Sequence, residues 1–250
     1  MPLLYAKNFL TQVIARVDYQ PILSLDTDKP SKFQDLVRDE YPRLAELQGV
    51  GIEIPKSGGR PVSVEKLPVV WKLEDKERIN KVDLSSKYFS LVTTKYVRFS
   101  EFYERLTRVW KSFVESYKPS IITRIGLRYI NEIKLEGNPF EWKHLLNENL
   151  HSSLNIFPDS QGSISRSMHQ LHLTADDYKV IFQFGIFNSE FPNTIAQKEF
   201  ILDYDCISKD EHEPQDVLGK FSGFNEIVSS LFEQSISDGL REILKEGAEQ

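Results

Sequence analysis

Ile121-Ile122-Thr123-Arg124-Ile125-Gly126-Leu127-Arg128-Tyr129-Ile130-Asn131-Glu132-Ile133 lies at the middle of a 250-residue chain, and its reading decides the architecture. The run is rich in β-branched and aromatic residues, which predicts a strand. It also has an earlier echo. Val13-Ile14-Ala15-Arg16-Val17 aligns with Ile125-Gly126-Leu127-Arg128-Tyr129 at an offset of 112. Lys87-Tyr88-Phe89-Ser90-Leu91 aligns with Lys198-Glu199-Phe200-Ile201-Leu202 at 111, and Arg98 to Glu104 aligns with Lys220 to Glu226 at 122. The order is kept, and the jump in offset falls at an acidic insertion, Lys209 to Asp216, that reads as a loop. The central stretch therefore opens a second copy of an earlier unit.

Outward from it, the first half reads as follows. Phe9 to Tyr19 alternates with period two and predicts a strand ended by Pro21. Phe33, Leu36, Val37, Tyr41 and Leu44 recur at helical spacing behind a candidate Ser31 N-cap. A short strand at 49–55 and a Gly58-Gly59 turn follow, then strands at 69–77 and 87–96 that read as a hairpin. Phe99, Phe102, Leu106, Val109, Trp110, Phe113 and Tyr117 then mark an amphipathic helix, with Ser100 placed to cap it and Pro119 to stop it. In the second half, a short helix near 140–146 and a loop at 158–162 precede strands near 166–174, 178–187 and 198–207. One long helix closes the chain from Phe221 to Leu244. Residues 1–120 and 121–250 thus each predict strand, helix, three strands and long helix. The expected fold is α+β and internally duplicated, with antiparallel sheets meeting or partly closing and helices outside, because each sheet face and helix stripe must bury against something.

The opening Tyr5-Ala6-Lys7-Asn8-Phe9-Leu10-Thr11-Gln12-Val13-Ile14-Ala15-Arg16-Val17-Asp18 and the central Arg124-Ile125-Gly126-Leu127-Arg128-Tyr129-Ile130-Asn131 resemble a bacterial and archaeal protein family. That family is described as sporadically distributed and functionally uncharacterised. The likeness spans most of the chain, since the strand-rich middle and the closing helix keep the same order. It implies a fold of this length and a prokaryotic, cytoplasmic setting. A patchy distribution is in keeping with mobile genetic islands, including defence systems. The resemblance implies no catalytic residue.

Composition narrows the function classes. Hydrophobic residues make up 40% and charged residues 27%, the balance of a soluble globular protein. Apolar runs fall short of the roughly 18–20 residues that a membrane helix needs, and the N-terminus lacks the pattern of a secretory signal. Cys206 is the only cysteine, so no internal disulfide is expected. The net charge of −6 is uneven: residues 1–120 carry 20 basic against 16 acidic side chains, and residues 121–250 carry 11 against 21. No dense basic run appears, which disfavours free nucleic acid as a partner. The asymmetry suits a dipolar surface that meets another protein, or equally a solvated one. Closing-helix residues such as Phe232 and Leu240 suit self-association.

Candidate site residues come from the strands. Arg16 and Arg128 hold matching places in the two copies, and Arg124 shares a strand face with Arg128, about 13 Å away at the usual rise. Converging guanidiniums suit phosphate or carboxylate; the competing expectation is that each pairs with Asp18, Asp203 or Asp205 across strands. Glu199, Asp203 and Asp205 share one strand face, opposite Phe200, Leu202, Tyr204 and Cys206. Carboxylates so placed could hold a cation or move protons, but simple alternation predicts a polar outer face instead. His169 and His172, three apart in a strand, fall on opposite faces, which spoils a shared metal. Cys206 alternates with core residues and is expected to be inert. No nucleophile elbow, phosphate-binding loop or dinucleotide fingerprint is present, and no metal or cofactor is expected. The leading expectation is a non-catalytic interaction or regulatory subunit. The rival is a phosphate- or nucleotide-binding domain, or a hydrolase, using Arg16, Arg124 and Arg128 with Asp203 and Asp205.

Overall fold

The computed structural model describes residues 5–48, 50–53, 63–66, 68–136, 139–155, 164–193, 195 and 199–245. In chain order, strand β1 (Leu10–Tyr19) leads to helices α1 (Ser24–Thr27) and α2 (Ser31–Val37), then strands β2 (Arg43–Leu47), β3 (Val50–Glu53) and β4 (Ser63–Lys66). Strands β5 (Val70–Glu74), β6 (Asn80–Ser85) and β7 (Tyr88–Thr93) precede helix α3 (Phe99–Tyr117) and strand β8 (Ile122–Lys134). A 3-10 turn (Pro139–His144), α4 (Glu148–His151) and a second 3-10 turn (Ser152–Asn155) lead to β9 (Ser167–Thr174), β10 (Tyr178–Ile186) and β11 (Glu199–Ser208). Helices α5 (Val217–Ser235) and α6 (Asp238–Lys245) follow.

The fold is α+β. One nine-stranded antiparallel sheet runs β2-β5-β6-β7-β1-β8-β11-β10-β9, and β3 with β4 forms a separate pair. The strands of the two halves meet at β1 and β8 to make a single open sheet with β2 and β9 as its edges, so partial closure is not what forms. At the centre Ala15 lies opposite Leu127, Val13 opposite Tyr129 and Val17 opposite Ile125. The offset of 112 superposes Ala15 on Leu127, so the aligned residues are those that face each other at the middle of the ladder. Outward from them the order reads β7, β6, β5 on one side and β11, β10, β9 on the other. The second alignment slips. Leu91 pairs with Ala15 and Cys206 with Leu127, which is 115 residues apart rather than 111. A four-residue slip is two full pleats and preserves which face each side chain takes.

Several local expectations change. Helix α2 ends at Val37, and Arg43–Leu47 is a strand, because the helical run meets Pro42, whose preceding residue is pushed out of the α region. Neither Ser31 nor Ser100 caps a helix: the N-caps are Pro30 and Arg98, without side-chain capping bonds. The expected hairpin of 69–77 with 87–96 contains a third strand, since β6 pairs with both β5 and β7. Its two inward apolar residues, Val82 and Leu84, alternate with Lys81 and Asp83, a pattern too short to stand out. The Asp75 carboxylate accepts from the amides of Ile79 (2.8 Å) and Asn80 (3.1 Å) and so fixes the turn that makes β6 possible. The closing helix is broken at Ile236, whose extended backbone bridges to Leu146. The Gly58-Gly59 turn and the 158–162 loop lie outside the described residues.

Helices cover one face of the sheet. Val13, Ala15, Val17 and Tyr19 point into it, and α3 seats Phe102, Leu106, Val109, Trp110 and Phe113 over β1 and β7. Helix α5 lies over β8 and β11: the Tyr129 hydroxyl donates to Asn225 Oδ1 at 2.8 Å, and the Tyr204 hydroxyl to Ser235 Oγ at 2.7 Å. Each fully buried large apolar side chain contributes roughly 1.5–3 kcal/mol, so this layer dominates stability. Among the described residues, no helix is long and apolar enough to cross a membrane.

Candidate functional site

Because strand side chains alternate, burying Val13, Ala15 and Val17 sends Ile14, Arg16 and Asp18 to the other face. Register then assembles a charged centre there. Arg16 lies opposite Gly126, Asp18 opposite Arg124, and Arg128 opposite Asp205 with Asp203 two residues along. The structure thus brings Arg16, Arg124, Arg128 and Asp205 together around one hollow of about 350 Å³, with Asp203 bonded at its side.

Each arginine is already answered. Arg16 donates through Nε (2.9 Å) and Nη2 (2.7 Å) to one Asp18 oxygen, and its guanidinium lies 4.0 Å over the Tyr88 ring. Arg124 spans two strands, reaching Asp18 Oδ2 at 3.2 Å and Asp205 Oδ2 at 3.3 Å. Arg128 forms a two-pronged pair with Asp203 at 2.8 and 2.6 Å, the shortest of the set. Arg124 and Arg128 pair with acids across strands as expected, whereas Arg16 pairs with Asp18 two residues along its own strand. Gly126 has a part in it. A Cβ there would meet Arg124 Nη2 at 2.9 Å, so the missing side chain lets the guanidinium lie flat on the sheet.

Electrostatics follow burial. Desolvation pushes the Asp205 carboxyl above its usual range, opposed by Arg124 and Arg128. The Asp203 hydrogen bonds push Arg128 further up, so it stays charged at any working pH. Glu199 is only 2% exposed and is raised by burial and by neighbouring Glu132, while Lys134 lies 3.9 Å from it. Among the described residues no cluster of His, Cys, Asp and Glu could hold a metal. His169 stacks on Phe184 on the helix-covered face, and His172 pairs across from Ile181 on the other. Burial pushes the Cys206 thiol up to about 12, which leaves it unreactive.

Beside the hollow lies a larger one, about 790 Å³, that shares Arg16 and Asp18 and adds Lys72, Asp83, Lys87 and Tyr88. Asp83 escapes a sequence reading because the β6 pattern is so short. Its Oδ1 is buried without a hydrogen-bond partner among the described residues. Burial raises its pKa, against the lowering effect of Lys72 and Lys81. The folded state therefore holds the Asp83 proton to a higher pH than the unfolded chain does. Its contribution is favourable at low pH, and is lost as pH rises from the unfolded toward the folded pKa. Asp83→Asn is accordingly expected to raise the melting temperature at pH 7, with the gain vanishing below about pH 4. Thermal melts across that range check it, and a gain independent of pH would remove this cause.

No protein-family model matches the chain, and no curated protein matches it in sequence.

Proposed function

We propose that the protein is a non-catalytic interaction subunit that docks another protein chain on the sheet face that carries none of the described helices. The carrying observation is the charge-paired centre: Arg16, Arg124 and Arg128 are each matched to a carboxylate. Half-buried Ile14, Ile130, Ile181 and Ile207 surround these pairs, giving the mixed apolar and charged character of a partner-binding surface. The mirrored strand order about β1 and β8 supports reading the halves as copies of one ancestral unit. The family resemblance supports a prokaryotic, cytoplasmic setting for such a subunit, including one in a mobile or defence-associated system.

Native mass spectrometry of the protein purified from its own host tests this. The expected result is a second polypeptide at fixed stoichiometry, released by Arg16→Glu, whose side chain is 42% exposed and whose reversal leaves the core intact. A second copy of the chain in that place would make the face a self-association surface. A catalytic turnover that depends on Asp203 or Asp205 would overturn the reading.

One observation favours a phosphate- or nucleotide-binding alternative: all three guanidiniums border the same hollow. Under it, Arg16→Ala with Arg128→Ala abolishes a calorimetric response to inorganic phosphate. An unchanged response, or none in the parent protein, sinks that alternative.

A further inference from the structure

Two polar side chains stand where the pattern calls for apolar ones. On β8, Tyr129, Asn131 and Ile133 alternate into the helix-covered face, and Asn131 is only 5% exposed. On α5, Phe221, Phe224 and Val228 form the buried stripe, and Asn225 at 7% exposure sits within it. A buried amide is costly unless its donor and acceptor are both used. Each asparagine uses one end. Asn131 Nδ2 donates to Leu202 O at 3.2 Å, and Asn225 Oδ1 accepts from Tyr129 at 2.8 Å. Among the described residues no hydrogen bond reaches Asn131 Oδ1 or Asn225 Nδ2. Both residues line one cavity of about 610 Å³ between the sheet, the start of α3 and helix α5.

The remaining wall supplies the other parts of a small-molecule site. Tyr96, Phe99 and Phe232 line it together with Tyr129, giving broad aromatic faces. Phe99 and Ser100 belong to the first turn of the 19-residue α3, which has no side-chain cap, so its leading amides and helix dipole are turned to an anion. The volume falls inside the range of roughly 300–1,000 Å³ usual for small-molecule sites. One in-plane acceptor and one donor among aromatic rings suit the edge of a nucleobase, and the helix start suits a phosphate.

The geometry points to a binding site for a nucleoside monophosphate in this cavity, with Asn131 and Asn225 reading the base edge and the first turn of α3 holding the phosphate. The site is independent of the charged sheet face.

The test is calorimetric titration of the full chain with AMP, GMP, CMP and UMP, with inorganic phosphate as the fragment control. At least one nucleotide is expected to bind with a dissociation constant below about 1 mM, and phosphate alone more weakly by about tenfold or more. Asn131→Leu is expected to weaken the nucleotide by about tenfold or more while leaving the melting temperature of the free protein unchanged or higher. Ser229→Trp, which fills the cavity from half-buried Ser229 on α5 and leaves both asparagines in the sequence, is expected to do the same. Binding by none of the four nucleotides overturns the proposal. So does binding that survives both variants, or that is lost instead in Arg16→Ala with Arg128→Ala, which would move the ligand to the sheet face.

Discussion

Gly185→Ala is expected to destabilise the protein by about 3 kcal/mol or more, read as a fall in the denaturation midpoint at unchanged slope. Gly185 sits in β10 with φ +133°, a backbone conformation that L side chains rarely adopt. A Cβ there would also meet the Ser167 carbonyl oxygen at 2.0 Å, on the neighbouring β9. The clash is with backbone, so no side-chain rotation relieves it. Relief requires β9 to move away from β10 along the ladder that pairs Gly185 with Met168. Retention of parental stability would mean that this strand pair deforms freely. By contrast, Gly126→Ala meets only the far end of Arg124 and is expected to cost little, the guanidinium lifting off the sheet instead.

Phe113→Ala is expected to cost about 3–5 kcal/mol. Phe113 is fully buried on α3 and has Tyr19, Trp110, Phe89 and Tyr117 around it at ring-centroid distances of 5.1, 5.3, 5.5 and 5.5 Å. It therefore ties the helix to β1 and β7 at once. Removing the ring leaves a hole bounded by rigid aromatics, which collapse poorly. Chemical denaturation measures the loss, and a value under about 1 kcal/mol would show that the cluster refills the space.

How much of this was legible in the sequence depends on the kind of signal. Long alternation carried β1, its echo in the central stretch carried β8, and a wide aromatic stripe carried α3, because a ten-residue strand or five-turn helix repeats its period many times. Short elements gave no such repetition. In β6 only Val82 and Leu84 mark the inner face with apolar residues, and Pro42, two residues before Leu44, turned it from a helix position into a strand. The pairing of Arg16, Arg124 and Arg128 with Asp18, Asp203 and Asp205 was within reach, since all lie on alternating positions of strands. What could not be read was which acid each arginine takes, because that depends on register: Arg128 faces Asp205 but bonds Asp203. Asn131 and Asn225 were visible only as polar interruptions of apolar faces. Their meeting at one cavity needs the crossing of α5 over β8, which no local pattern encodes.

The central position of β1 bears on how the chain acquires its structure during synthesis. Its two neighbours are β7 and β8, so Ala15 finds Leu91 in the first half but must wait for Leu127, made more than a hundred residues after it. Contacts this distant in sequence slow folding, since the loop must close before the ladder rewards it. While the second half is still being made, one long edge of β1 offers unpaired amides and carbonyls to any passing strand. The first half is therefore expected to be prone to association when expressed alone, and β8 to act as the segment whose arrival ends that exposure.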